Sequence, residues 1–221
     1  ADIVTGVKFS NAGQICVSPN RVFVAKAVLE AFTQKVVDRA RAAKVGFDKH
    51  ANITTGPVID ESAWTRLKGL VDDAVAGGAT LLAGGERPTG MNAGHFLAPT
   101  VLAGVTETMA VYREETFGPI VSIVPFDDKT DLLRMANDCE EGGLTAYVFT
   151  RDLARAEHFS AHLRYGEIQI NGVKYDIDLP HGGIGQSGVG HDCSALALHD
   201  YLVQKRITRA LDTTTFGGLN P

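Results

Sequence analysis

Residues 9–16 read Phe9-Ser10-Asn11-Ala12-Gly13-Gln14-Ile15-Cys16, a glycine-bearing turn that ends in a single thiol. Ahead of it, Ile3, Val4 and Val7 follow helical spacing from the first residues, with no capping residue before them, as in a chain that begins inside a helix. After it, Arg21 to Ala25 is a short β-rich run. The thiol is thus expected between a helix end and a strand, where a turn can expose it to an electrophile. Backbone N–H groups of the same turn can stabilise the oxyanion that forms when a thiol attacks a carbonyl. An isolated cysteine is more commonly a small apolar filler of the core, so the flanking residues decide between the two readings.

Working outward, Val28, Leu29, Phe32, Val36, Val37 and Ala40 recur at three and four and predict a helix from Lys26 to Lys44. A second helix is expected from Glu61 to Ala76, with Leu67, Leu70, Val71 and Ala74 inward and Gly77-Gly78 as its stop. Thr80 to Ala83, Ile120 to Pro125, Ala146 to Thr150 and Glu167 to Asn171 read as strands, with helices at Asp131 to Cys139 and Leu153 to Leu163. This alternation predicts an α/β fold, a three-layer domain with a mostly parallel central sheet. Tyr201 to Leu211 alternates polar and apolar residues and reads as an exposed edge strand in need of a partner.

The bulk properties exclude several classes. No apolar run approaches the ~20 residues of a membrane helix, and a net charge of -5 with scattered Lys and Arg lacks a nucleic-acid footprint. Neither a membrane nor a nucleic acid is expected as partner. Cys16, Cys139 and Cys193 are odd in number and lack metal-type spacing, so no metal is expected and the reading is cytoplasmic.

The pattern Phe-x-Asn-x-Gly-Gln-x-Cys resembles the cysteine signature of the aldehyde dehydrogenase superfamily, and Cys16 falls at the family's nucleophile. A second stretch, Glu114-Glu115-Thr116-Phe117-Gly118-Pro119, is similar to the family's Glu-x-Phe-Gly-Pro motif. A third, Pro180-His181-Gly182-Gly183 leading to Ser187-Gly188-Val189-Gly190, is similar to the loop that lines the aldehyde entrance, and Gly143-Leu144-Thr145-Ala146 resembles the turn before a core strand. The resemblance runs from about Ala1 to Leu211, and its nearest branch is succinate-semialdehyde dehydrogenase-like.

It implies that Cys16 attacks an aldehyde to give a thiohemiacetal, that hydride leaves for NAD or NADP, and that water hydrolyses the thioester. Glu115 would hold the nicotinamide ribose and Phe117 would lie against the nicotinamide ring. Asn11 would shape the cysteine loop, and Asp176 and His181 would belong to the substrate tunnel or its supporting loop. Residues 1–199 would be the catalytic domain and 200–221 an oligomerisation strand and tail that makes a homo-oligomer. The family's general base, a glutamate well before the cysteine, and its dinucleotide-binding domain would lie outside this chain, leaving a fragment inactive as a dehydrogenase when alone.

Members that bind a substrate carboxylate have arginine where this chain has Ser10, and Asp176 and Asp178 would repel a dianionic product. The expected substrate is therefore a neutral or polar aldehyde. Ser18 replaces a second cysteine of some relatives, so no disulfide switch at Cys16 is expected. Two other classes are weighed: a stand-alone thiol hydrolase pairing Cys16 with His181 or His191, and a non-catalytic oligomerisation module. Gly183-Ile184-Gly185-Gln186-Ser187-Gly188 matches Gly-x-Gly-x-x-Gly but follows no strand and is not a dinucleotide fingerprint. In doubly wound folds the site lies at the carboxyl ends of the strands, where Cys16, Glu115 and the Gly182-Gly183 loop are expected to converge.

Overall fold

The computed structural model describes residues 1–48, 52–138 and 142–209. Cys139, the last positions of the terminal run, Ala210 and Leu211, and the Thr/Gly tail lie outside the described residues.

Three helices begin where an aspartate caps them. Asp60 accepts from the Ala63 amide at 2.8 Å and opens α3 (Glu61–Ala76). Asp131 accepts from Arg134 N at 3.0 Å and opens α5 (Leu132–Asn137), and Asp152 accepts from Arg155 N at 3.1 Å and opens α6 (Leu153–His162). Each cap satisfies an amide that the helix cannot, worth about 1 kcal/mol. Helix α1 (Asp2–Phe9) has no side-chain cap, as its sequence implied. Helix α2 starts at Leu29 and runs to Ala42, later than expected, because residues 26–28 form a 3₁₀ turn that leaves Val28 exposed.

The strands are β1 (Val22–Ala25), β2 (Thr80–Ala83), β3 (Thr100–Ala103), β4 (Ile120–Phe126), β5 (Thr145–Val148) and β6 (Glu167–Ile170), with a one-turn helix α4 (Ala110–Arg113) before β4. Four of them form a sheet of order β1-β4-β3-β2, parallel except for β2, and β5 and β6 form a separate parallel pair. The α/β, mostly parallel expectation is met.

Alternation along the strands makes the three layers. Val22 and Val24 of β1, Val101 of β3, and Val121 and Ile123 of β4 pack with Phe9 of α1 and Val36, Val37 and Ala40 of α2. Their neighbours Phe23, Leu102, Ile120 and Val124 face the other way, onto Leu67, Leu70, Val71 and Ala74 of α3 and onto Val111 and Tyr112 of α4. A period of two on the sheet meets a period of 3.6 on each helix, which is the condition for a helix–sheet–helix sandwich.

The terminal run forms no ladder within the described residues of this chain. Ala195–Tyr201 forms a 3₁₀ segment, and residues 202–209 pair with no strand, with Leu202, Val203 and Ile207 exposed. Alternation specifies an edge, but a ladder needs a second edge to bond, and the run meets none among the described residues. Among the described residues no helix is long and apolar enough to cross a membrane.

Candidate active site

The chain leaves α1 at Ser10 in an extended conformation and then makes a left-handed hook. Asn11 (φ 48, ψ 31), Ala12 (φ 54, ψ 33) and Gly13 (φ 70) all lie in the left-handed region. Each residue type has a reason to be there. Asn tolerates this region and spends its side chain locally, Nδ2 donating to the Gln14 carbonyl at 3.0 Å. A Cβ at position 13 would overlap the Gly118 carbonyl and approach the Lys8 carbonyl to 2.8 Å, so only glycine fits. Gln14 clamps the hook from outside: its Nε2 donates to the Asn11 and Pro57 carbonyls at 3.0 and 3.3 Å, and its Oε1 accepts from Ile59 N at 2.9 Å.

The hook delivers Cys16 to a tight turn closed by Ser18 N donating to the Ile15 carbonyl at 2.9 Å. The thiol is free and exposed. It lines a cavity of about 710 Å³ that runs between β1 and β5, shared with Glu115, Tyr147 and Ser187.

Glu115 reaches the same cavity from the loop after α4, and that loop is held on three sides. Asn20 spans it, Nδ2 donating to the Glu114 carbonyl at 2.6 Å and Oδ1 accepting from Thr116 N at 2.8 Å. Arg66 of α3 donates to the Glu115 and Thr116 carbonyls at 3.2 and 2.7 Å. Lys8, 1% exposed, donates from Nζ to the Thr116 hydroxyl at 2.8 Å. Burial pushes the Lys8 amine down to about 7, with Glu115 pulling the other way. Phe117 is placed at φ 42 and is 41% exposed, and Gly118 packs so closely on Leu67 that no Cβ would fit. An aromatic side chain held out of the core by a strained backbone, beside an exposed carboxylate, is suited to a planar ring and its attached sugar hydroxyls.

The convergence at carboxyl ends is corrected in part. Cys16 and Glu115 do meet on one cavity, but on the segments that enter β1 and β4 at their amino ends. From the third motif Ser187 reaches the cavity wall, whereas Gly182 and Gly183 do not line it. Asp176 lies on the loop after β6, its Oδ1 accepting from Asp178 N at 3.2 Å and its Oδ2 3.4 Å from Lys174 Nζ. The His181 ring nitrogen Nδ1 bonds the Glu167 carboxylate, whose other oxygen takes the Thr145 hydroxyl at 3.1 Å, and the His181 backbone bridges Asp192. Among the described residues no hydrogen bond joins His181 or His191 to Cys16.

Sequence reading passed over Lys8, Arg66, Tyr147 and Tyr175. Lys8 carried a signal, since it stands four residues after Val4 on the stripe that faces inward; a lysine there has to find a buried partner.

A profile of the aldehyde dehydrogenase family matches residues 1–207. The chain belongs to this family. It is 37% identical over 202 residues to the succinate-semialdehyde dehydrogenase (NADP(+)) 2 of Schizosaccharomyces pombe, covering 91% of this chain and 41% of that protein. Among solved structures it is similar to succinate-semialdehyde dehydrogenase from Burkholderia pseudomallei, with a TM-score of 0.86 and 39% identity over 90% of this chain and 41% of the other. It is also similar to the betaine aldehyde dehydrogenase of Staphylococcus aureus solved in complex with NAD+, with a TM-score of 0.85 and 32% identity over 96% of this chain and 44% of the other. This aldehyde dehydrogenase chain therefore spans about 41% of the length of the curated relative and of the first of these structures.

Proposed function

We propose that this chain is the cysteine-bearing portion of an aldehyde dehydrogenase that oxidises an aldehyde to a carboxylic acid with NAD or NADP. One observation carries the reading: a free, exposed thiol stands at the end of a rigid left-handed hook, on the wall of a cavity that also receives Glu115.

The Cys16 thiolate adds to the aldehyde carbon, and the C=O electron pair moves to oxygen as the S–C bond of a thiohemiacetal forms. Backbone N–H groups of the turn stabilise that oxyanion. Glu115 and Phe117 would hold the dinucleotide, which when bound would accept the hydride that leaves the thiohemiacetal carbon as the C=O of the Cys16 thioester re-forms. Water then attacks the Cys16 thioester, releasing the carboxylic acid and returning the thiol. The general base for that water and most of the dinucleotide site belong, on this reading, to the remainder of a longer protein. Asn11 supports the hook, and His181, bonded to Glu167, supports the loop bearing Asp176. Residues 1–199 form the catalytic unit, 200–221 join a second copy of the chain, and the unprotected thiol suits the reducing cytoplasm.

A neutral or polar aldehyde is the proposed substrate class. The protein comprising this chain and its N-terminal remainder is assayed for NAD(P)H at 340 nm with the native residue and with Cys16→Ala. Turnover that disappears in the variant is expected; undiminished turnover refutes the assignment. The 221 residues alone are expected to be alkylated by iodoacetamide at Cys16 and to form no NADH.

A further inference from the structure

Glu115 sits at the centre of a bracket made by one side chain. Asn20 Nδ2 donates to the Glu114 carbonyl at 2.6 Å, and Asn20 Oδ1 accepts from the Thr116 amide at 2.8 Å. One of these partners can only accept and the other can only donate, so the contacts themselves orient the carboxamide. The pattern is that of a parallel strand pair, in which one residue bonds the carbonyl before and the amide after the residue opposite it. Here a side chain takes the place of a neighbouring strand. The Glu114 backbone is extended (φ -92, ψ 151), as a strand's would be, although residues 114–117 belong to no sheet.

We infer that Asn20 is a positioning residue for the coenzyme, aiming the Glu115 carboxylate and registering it against the segment that carries Cys16. The inference rests on the reading of Glu115 as the group that accepts the nicotinamide-ribose hydroxyls. Each peptide unit is planar, so a bond to the unit before residue 115 and a bond to the unit after it together fix the direction in which the Glu115 side chain leaves the backbone. A carboxylate aimed in advance gives up less freedom when a ligand arrives than one on an unbraced loop.

Two further observations agree. Asn20 shares the wall of one cavity with both Cys16 and Glu115, so the bracket lies where a ligand would meet it. The segment that bears Asn20 is itself held, because Tyr147 of β5 donates its hydroxyl to the Val17 carbonyl at 2.8 Å and Arg21 NH1 donates to the Met135 carbonyl at 2.8 Å. The carboxylate is thus braced from the polypeptide that supplies the nucleophile. Arg66 and Lys8 would still hold Thr116 without Asn20, so Asn20→Ala is expected to fold.

The test is a double-mutant cycle on the protein with its N-terminal remainder, reading the Kd of NAD+ and of NADP+ by isothermal titration calorimetry, with a thermal melt of each variant. For the coenzyme that the native protein binds more tightly, Glu115→Ala is expected to weaken binding about thirtyfold and Asn20→Ala about tenfold. If Asn20 acts through Glu115, the double variant should bind within about twofold of Glu115→Ala alone, because nothing is left for the bracket to aim. A side chain that served only the fold would weaken binding by the same factor in both backgrounds. Equal losses in the two backgrounds, an Asn20→Ala that binds as the native protein does, or an Asn20→Ala that does not fold overturns the proposal while leaving the reading of Glu115 intact. A native protein that binds neither dinucleotide rejects both.

Discussion

Lys8 donates a 2.8 Å hydrogen bond from Nζ to the Thr116 hydroxyl inside the protein, joining the last turn of α1 to the loop that carries Glu115 and Phe117. The two segments that supply the site are thus pinned to each other by a group that resists being charged where it sits.

That pin makes stability depend on pH with a definite sign. In the fold the amine gives up its proton near pH 7, whereas the unfolded chain keeps it until about 10.5. Between those values the unfolded state binds more protons, so the native state gains stability as pH rises; below 7 both states are protonated and the cost of burying the charge is constant. Relative to Lys8→Met, the native chain should gain on the order of 2 kcal/mol between pH 7 and pH 9 in urea unfolding. A constant difference across that range would mean that the ammonium stays charged within the fold.

Two glycines of the same segment should respond oppositely to alanine. Gly13→Ala drives a methyl into the Gly118 carbonyl at a left-handed φ and is expected to cost more than about 2 kcal/mol and to blunt the alkylation of Cys16. Gly6→Ala, in α1 with no atom within 4 Å of the added carbon, is expected to raise stability by about 0.5–1 kcal/mol. Thermal melts of the two variants side by side check both; a mild Gly13→Ala would show that the hook can open.

Arg21 donates NH1 to the Met135 and Asp138 carbonyls at 2.8 and 3.0 Å and NH2 to the Ala136 carbonyl and Tyr165 hydroxyl at 2.9 and 3.0 Å, with its guanidinium over Tyr112 at 5.0 Å. It satisfies the end of α5 from the start of β1. Lysine keeps the charge but cannot fork, so Arg21→Lys should cost about 2 kcal/mol, read from the urea midpoint.

The Ser122 hydroxyl is fully buried in β4 and makes no hydrogen bond among the described residues. Ser122→Ala removes the burden of an unsatisfied polar group and should be neutral or stabilising by about 1 kcal/mol. A loss beyond that in a denaturant titration would reveal a partner for the hydroxyl.

The elements most readable from sequence are those with long periods or explicit punctuation. Leu67, Leu70, Val71 and Ala74 with Gly77-Gly78 mark α3 at Glu61–Ala76, and glycine pairs on either side mark the strand Thr80–Ala83. The strand Thr100–Ala103 and the single turn Ala110–Arg113 went unread: both are four residues long and largely buried, so they show neither alternation nor a polar face. The thiol and the carboxylate were legible as motifs, but the end of the sheet they occupy was not, because the carboxyl-end rule describes loops that leave strands, whereas residues 16 and 115 lie on segments that enter them. The tethers Lys8, Arg66 and Tyr147 depend on contacts between segments far apart in the chain, which no local pattern encodes.

Three consecutive left-handed residues ahead of Cys16 narrow the substitutions that this turn can accept. At positions 11, 12 and 13 a random library is filtered by backbone geometry before chemistry is sampled, and β-branched residues are eliminated first. Ser10 is extended and exposed, so variation there leaves the three left-handed positions untouched, and a library at that residue is limited by chemistry rather than by backbone geometry.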